Sequence, residues 1–209
     1  MSVLEQLSSQ SGDRTTASNE RVAKRALQQP QLLEEIAAGL ALSDRKLIGD
    51  CAEVMTLVAA KQPKLVAPYA EALIALIDHK DTRVRWEAMH SVAEIAAHVP
   101  EKISPILPRL VAEIDLDKSV IVRDYALLAL GEYGGTSVAA ARYVWPHLRK
   151  SLEVWDGKHV GKVLEAMQKS AAIDPSLKSE VAKIAQRFLE DKRAKVRTLA
   201  KRLQKGVVA

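Results

Sequence analysis

Hydrophobic residues recur along this 209-residue chain at the spacing of α-helices. In residues 84–95, for example, Val84, Ala88, Val92 and Ile95 share one face of a helix. The β-branched residues follow the same helical spacing rather than the alternation of a strand. The pattern predicts an all-α fold.

The same helical segment returns at a nearly constant interval. It opens with a valine at positions separated by 38, 38 and 36 residues, namely Val84, Val122, Val160 and Val196. An arginine directly follows three of these valines, and Gly161 follows the other. Side chains that can cap a helix N-terminus precede each such segment and one earlier segment: Asp44, Asp81, Ser119, Asp156 and Asp191.

Helix-ending residues keep the same interval. Pro63, Pro100 and Pro175 each follow an Ala-Ala pair, and Gly134-Gly135 occupies the skipped position. Each period therefore holds two helices, A and B, with recurrent prolines that bend the A helix. We expect a short helix over 19–28, followed by A and B helices over 31–42, 44–61, 64–79, 82–98, 101–114, 119–132, 137–153, 157–173, 176–190 and 192–205. Residues 1–17 are predicted to be a disordered polar tail, and residues 18–209 one repeat domain.

These markers occur together in three segments: DTRVRWEAMHSVAEIAAHVP, KSVIVRDYALLALGEYGG and DKRAKVRTLAKRL. On these segments the chain resembles the HEAT-repeat family of armadillo-like α-solenoids, over roughly residues 30–205. The resemblance implies a right-handed superhelix of about five HEAT repeats. The Asp and Arg of the turn usually support neighbouring repeats in that family. The resemblance therefore implies a structural role for Asp81, Arg85, Arg123 and Arg197.

The charge of the chain is concentrated at its C-terminal end. The whole chain carries a net charge of +5, whereas its last 32 residues contain 10 basic and 3 acidic side chains, a net of +7. This asymmetry is typical of a surface for an anionic partner, and also of a polar cap on a terminal repeat. The candidate anion or nucleic-acid patch consists of Lys195, Arg197, Lys201 and Arg202.

In solenoids of this kind the B helices line the concave binding surface. The side chains that we predict to bind a partner there are Trp86, His90, Asp124, Tyr125 and Lys162. Asp50 and Glu53 would give this surface an acidic N-terminal end. Trp86 could anchor a partner, stack on a base, or cover the joint between repeats. Trp145 and Trp155 are expected to pack between helices.

The sequence contains no recognisable catalytic or cofactor motif. The five histidines form no i, i+3 or i, i+4 pair, and a glycine-rich phosphate loop is absent. We therefore expect no catalytic residue, no metal and no cofactor. Cys51 falls on the apolar side of its helix and is expected in the core. The sequence lacks a long apolar run and a secretory signal, so a cytoplasmic location without membrane contact is expected.

These observations predict a non-catalytic scaffold or adaptor that binds a protein partner along its B helices. The alternative is a nucleic-acid-binding protein, including a relative of the HEAT-like glycosylases for alkylated bases, which the chain resembles in size, charge and helical repeats. Those enzymes use aromatic residues and an Asp, which implies Trp86, Tyr125 and Asp124 here. The match to their cleft is incomplete, since position 90 is His rather than a carboxylate. An accessory subunit of an enzyme is a third possibility.

Overall fold

The structure is a computed structural model that describes residues 2–205. All regular elements in this range are helical, and none of these residues lies in a strand, which confirms the predicted all-α class. The chain divides into two compact units, unit 1 (Met1–Lys102) and unit 2 (Ile103–Ala209). Residues 18–209, predicted as one repeat domain, are thus divided between the two units, and the last of them, 206–209, lie outside the described range.

Unit 1 is built around one central helix. Its α-helices are α1 (Ser8–Ser11), α2 (Ala17–Gln28), α3 (Leu32–Gly39), α4 (Arg45–Ala59), α5 (Pro63–Val66), α6 (Ala70–Ile74) and α7 (Thr82–Ile95), and α8 (Pro100–Ile103) lies at its boundary. Short 3-10 helices cover Leu4–Gln6, Ala67–Tyr69 and Ala96–His98. Helix α4 packs against α2, α3 and α7. Pro68 lies in the 3-10 segment that divides the predicted A helix, because proline cannot donate a helical hydrogen bond.

The helix starts of unit 1 follow the predicted capping chemistry. The Asp44 carboxylate accepts hydrogen bonds from the backbone N–H groups of Lys46 and Leu47 at the start of α4. Asp81 accepts in the same way from the first turn of α7. Each cap satisfies N–H groups that have no partner inside the helix. The local sequence therefore decides where these helices begin.

The N-terminal segment departs from the prediction of a disordered tail over residues 1–17. Residues 2–17 pack on unit 1, where the side chains of Val3 and Leu7 are only 2% and 0% exposed. The backbone N–H of Ser9 donates to Asp50 Oδ2 on α4 at 2.7 Å. A few apolar side chains that enter the core, with hydrogen bonds for the intervening polar groups, order a segment whose average composition is polar.

Unit 2 contains the remaining repeats. Its α-helices are α9 (Leu107–Leu116), α10 (Val120–Gly134), α11 (Val138–Ser151), α12 (Val160–Ile173), α13 (Lys178–Gln186) and α14 (Ala194–Lys205). Short 3-10 helices cover Ser104–Ile106 and Pro175–Leu177, and an irregular turn covers Val154–Gly157. Helix α12 packs against α10, α11, α13 and α14, and Gly134 ends α10 at the predicted glycine pair.

The recurrent Val-Arg pair is a packing and capping device in both units. Val84, Val122 and Val196 are buried. The arginine that follows each of them donates to the carbonyl oxygen six residues earlier, in the pairs Arg85 with His79, Arg123 with Asp117, and Arg197 with Asp191. These arginines close the turns between the A and B helices, as the structural interpretation of the repeat markers predicts.

Candidate functional site

A surface groove of about 810 Å³ lies over the beginnings of helices α12 and α14 in unit 2. The cationic side chains that line it are Lys158, Lys162, Arg193, Lys195 and Arg202, and the carboxylates are Asp124 and Glu165. With five cations against two carboxylates, the groove attracts anionic ligands. The α12 and α14 segments that form it lie one repeat apart in the sequence, and their mutual packing brings these charges together.

Two of the groove lysines are uncommitted. Lys162 Nζ pairs with Glu165 at 3.4 Å. By contrast, Lys158 and Lys195 are exposed, and their side chains have no hydrogen-bond or ion-pair partner within residues 2–205. An exposed ammonium that is not paired with a carboxylate of the chain is available to pair with a ligand. These two lysines are therefore available to pair with an anionic ligand.

A buried hydrogen-bond chain fixes Asp124 at the side of the groove. His159 is 3% exposed, and its Nδ1 lies 2.7 Å from Asp124 Oδ1. Arg123 Nε donates to His159 Nε2 at 2.9 Å. Because His159 Nε2 accepts from Arg123, we assign the ring proton to Nδ1, from which it is donated to Asp124. The carboxylate of Asp124 is thus held in place by a neighbouring repeat.

The turn that leads into α12 has an unusual backbone. Trp155 (φ 55°), Asp156 (φ 52°) and Gly157 (φ 66°) are three successive residues in the left-handed region. For the two residues with a Cβ, this conformation costs about 1–2 kcal/mol each. Asp156 therefore does not cap the next helix as predicted, and α12 begins only at Val160. The conformation is held by tertiary contacts, since the local sequence disfavours it.

Three contacts hold this left-handed turn. Trp155 Nε1 donates to the carbonyl oxygen of Ile114 at 3.0 Å. The guanidinium carbon of Arg123 lies 3.9 Å from the centre of the Trp155 ring, which is cation–π geometry. Arg193 Nη1 donates to the carbonyl oxygen of Gly157 at 2.9 Å. Trp155, which was expected to pack between helices, is instead 40% exposed, with one face of its ring on Arg123.

Gly161 explains why the fourth repeat differs. It occupies the position of Arg85, Arg123 and Arg197, so this repeat has no arginine of its own to close the turn. Arg193 from the next repeat supplies that guanidinium, and its carboxylate partner is Asp191, whose pKa is lowered to about 2 by this contact. The missing side chain at position 161 also leaves the groove open at this point, where Gly161 forms part of its lining.

The predicted site residues of unit 1 have a different environment. Trp86 is half-buried, and its Nε1 donates to Glu87 Oε1 at 2.9 Å. His90 Nε2 lies 3.3 Å from Glu94 Oε1, and both side chains are partly buried. Burial raises the pKa of the Glu87 carboxyl group. Trp86 and His90 thus belong to a polar network on one helix, α7, whereas Asp124, Tyr125 and Lys162 belong to unit 2.

The predicted acidic end of the binding surface is covered. Asp50 is 1% exposed and accepts hydrogen bonds from Asn19 Nδ2 at 3.0 Å and from Arg83 Nη2 at 2.8 Å. Glu53 accepts from the same two side chains. Hydrogen bonds from the N-terminal residues and from Arg83 of the next repeat therefore engage these carboxylates inside unit 1.

Four of the predicted residues line the groove together: Asp124, Lys162, Lys195 and Arg202. Tyr125 is half-buried and does not line the groove, and Lys201 is exposed outside it. Arg197 donates to the carbonyl oxygens of Asp191 and Lys192, so its guanidinium is engaged in the turn. Arg193 is not among the predicted site residues, and its only local signal in the sequence is the neighbouring Asp191.

Possible metal ligands are not clustered in the part of the chain that the structure describes. Within residues 2–205, no three His, Cys, Asp or Glu side chains are grouped as possible metal ligands. Cys51 lies in the core as predicted, and burial raises the pKa of its thiol to about 12. Across the same residues, every helix is too short or too polar to cross a membrane.

Comparison with known proteins identifies similarity at the level of structure. No family of known sequences matches the chain, and no curated protein matches it. A designed armadillo repeat protein superposes with a TM-score of 0.71 at 16% identity, with 98% of each chain covered. A second, in complex with the peptide (KR)4, gives 0.73 at 15% identity and 98% coverage of each chain. Armadillo repeat proteins computationally designed for modular peptide recognition give 0.70 at 17% identity and 97% coverage. The chain therefore has an all-α fold similar to that of armadillo repeat proteins.

Proposed function

We propose that this chain is a non-catalytic repeat scaffold that binds an acidic segment of a protein partner in the basic groove of unit 2. The observation that carries the proposal is the charge of the groove, with five cations, two carboxylates and two uncommitted lysines. The similar structures support it, because they include a repeat protein in complex with the peptide (KR)4 and others designed for peptide recognition. Since the cations here are on the repeat protein, charge complementarity favours an acidic peptide.

The two carboxylates favour a peptide over nucleic acid. Asp124 and Glu165 lie among the cations of the groove. The phosphate backbone of DNA has no hydrogen-bond donor for either carboxylate. A peptide also offers backbone N–H donors, which both carboxylates can accept.

The experiment is fluorescence anisotropy with a labelled (DE)4 peptide, the charge-reversed counterpart of (KR)4. The groove variant carries Lys→Gln or Arg→Gln at four positions: Lys158, Lys162, Lys195 and Arg202. A matched control removes the same charge from exposed lysines of unit 1: Lys24, Lys46, Lys61 and Lys80. We expect the groove variant to bind at least about tenfold more weakly at low salt, because each lost cation contributes up to about 1 kcal/mol. The control should bind like the original chain, and equal losses in both variants would contradict the proposal.

Nucleic acid is the second candidate, and the same groove cations favour it. Arg197 is omitted from the groove variant because its guanidinium closes a turn. We expect a labelled DNA duplex to bind more weakly than (DE)4 at roughly 50 mM salt, and to be released at roughly 200 mM. If the duplex bound more tightly than (DE)4, and the groove variant reduced the salt dependence of that binding, the ligand of the groove would be nucleic acid and not an acidic peptide. Release of alkylated bases from DNA that is lost in Asp124→Asn would show an enzyme and contradict a scaffold.

A further inference from the structure

An exposed apolar patch adjoins the basic groove. Trp155 is 40% exposed and Leu116, at the end of α9, is 76% exposed. Trp155 lies against the end of α9, since its Nε1 donates to the carbonyl oxygen of Ile114, two residues before Leu116. We call Leu116 and Trp155 the apolar patch.

The patch and the groove meet at the left-handed turn. Lys158 lines the groove and lies three residues after Trp155. His159, which also lines the groove, accepts a hydrogen bond from Arg123, whose guanidinium contacts the Trp155 ring. The turn therefore joins an apolar surface directly to the cations of the groove.

The backbone of the turn supports a binding role for Trp155. Three successive residues with positive φ are held there by Arg123, by Arg193 and by the indole hydrogen bond to Ile114. Strained backbone of this kind tends to persist at ligand-binding sites, where the surrounding contacts fix an otherwise unfavoured geometry. Here the geometry leaves the Trp155 side chain rigid and partly exposed. A rigid aromatic side chain loses little entropy when it binds a partner.

We propose that the apolar patch binds a large apolar side chain, preferably aromatic, that the acidic segment of the partner carries between its acidic residues. This inference rests on the proposed function, because it names a second feature of the ligand that the basic groove would hold. The acidic residues pair with Lys158 and Lys195, and the apolar side chain packs on Trp155 and Leu116. Trp155 and Leu116 are then the residues that determine specificity among acidic segments.

The test compares two labelled peptides on the full chain: (DE)4, and the same peptide with one Phe inserted at its centre, (DE)2F(DE)2. We expect the Phe peptide to bind about three- to tenfold more tightly, the range for one added aromatic contact. Leu116→Ser and Trp155→Ala should each reduce this preference towards one, and Leu116→Ser should leave the affinity for (DE)4 within about twofold. Leu116→Ser leaves the turn intact, so it keeps the test valid if Trp155→Ala unfolds.

Val138→Ser is the matched control. Val138 is 41% exposed at the start of α11, and it is not part of the patch. This variant should retain the full preference for the Phe peptide. If the original chain bound the two peptides with equal affinity, the proposed role of the apolar patch would be wrong, whereas the proposed role of the basic groove would be unaffected. Absence of binding to either peptide at low salt would overturn both.

Discussion

Gly131 and Gly161 lie in neighbouring helices of unit 2, and the same substitution, glycine to alanine, should change stability in opposite directions at the two positions. Gly131 is buried in α10 where it faces α12. A Cβ at position 131 would lie 2.8 Å from the Cβ and 2.9 Å from the Cα of Ala166. Carbon atoms normally approach to about 3.5–4.0 Å, so the two helices would have to separate locally by about 1 Å.

The change in the free energy of unfolding for Gly131→Ala is the difference between two opposing effects. Overpacking of a buried contact costs about 1–3 kcal/mol, and part of this contact is backbone, which cannot rotate away. Alanine regains up to about 1 kcal/mol through its lower entropy in the unfolded chain and its higher helix propensity. We therefore expect Gly131→Ala to reduce the free energy of unfolding by about 1–2 kcal/mol.

Position 161 lacks the steric conflict. The nearest atom to a Cβ there is Val196 Cγ2 at 3.7 Å, an ordinary van der Waals contact. Gly161→Ala should therefore stabilise the chain by about 0.5–1 kcal/mol. Because one methyl group barely changes the groove, this variant should also bind (DE)4 like the original chain.

Thermal unfolding followed by circular dichroism measures the contrast, with urea unfolding as a second assay. A difference of about 1.5–3 kcal/mol between the alanine variants corresponds to Tm values about 3–12 °C apart for a chain of this length. If Gly131→Ala proved as stable as the original chain, the close approach of α10 and α12 would be refuted. If Gly161→Ala proved less stable, the open space at position 161 would be refuted.

Three further predictions concern stability. Leu7→Ala should reduce the free energy of unfolding by about 2–4 kcal/mol because Leu7 is fully buried, whereas Leu42→Ala, at a side chain 47% exposed, should reduce it by less than about 0.5 kcal/mol. Equal effects of the two substitutions in urea unfolding would support the predicted disordered tail over residues 1–17. The Arg193 contact lowers the pKa of Asp191 to about 2 from 3.8, so the stability that this ion pair contributes is present at neutral pH and is lost as the pH falls from about 4 to 2. Asp191→Asn should therefore be less stable than the original chain at pH 7, and the free energies of unfolding of the two proteins should become similar at pH 2. Burial raises the pKa of the Glu87 carboxyl group, so folding favours the protonated form, and this stabilisation is lost as the pH rises above the ordinary pKa of a glutamate. Glu87→Gln should therefore unfold at a higher urea concentration than the original chain at pH 7, but not at pH 4.

The N-terminal segment illustrates where sequence reasoning failed. The segment is polar on average, and Val3 and Leu7 are too few to give a helical period. Their burial depends on the space beside α3 and α4, and on acceptors such as Asp50 and Glu35, which lie more than 30 residues away in the sequence. Composition averages over such contacts, and so it predicted disorder.

The sequence by itself determined the all-α class, the repeat interval and most helix starts. Helical spacing, an Asp or Ser cap and a helix-ending Pro or Gly act within a few residues, so the local sequence specifies them. The Val-Arg pair belongs to the same class, since its arginine reaches a carbonyl only six residues away.

Only the tertiary structure decided the composition of the groove and the geometry of its turn. Lys158 and Lys195 come together because α12 packs on α14, and Arg193 replaces the arginine that Gly161 lacks because the next repeat places it there. Trp155 adopts a left-handed conformation that its own sequence disfavours, since Arg123 and Ile114 hold its side chain. These contacts join residues some 30–40 positions apart, and their energies arise only when neighbouring repeats pack together.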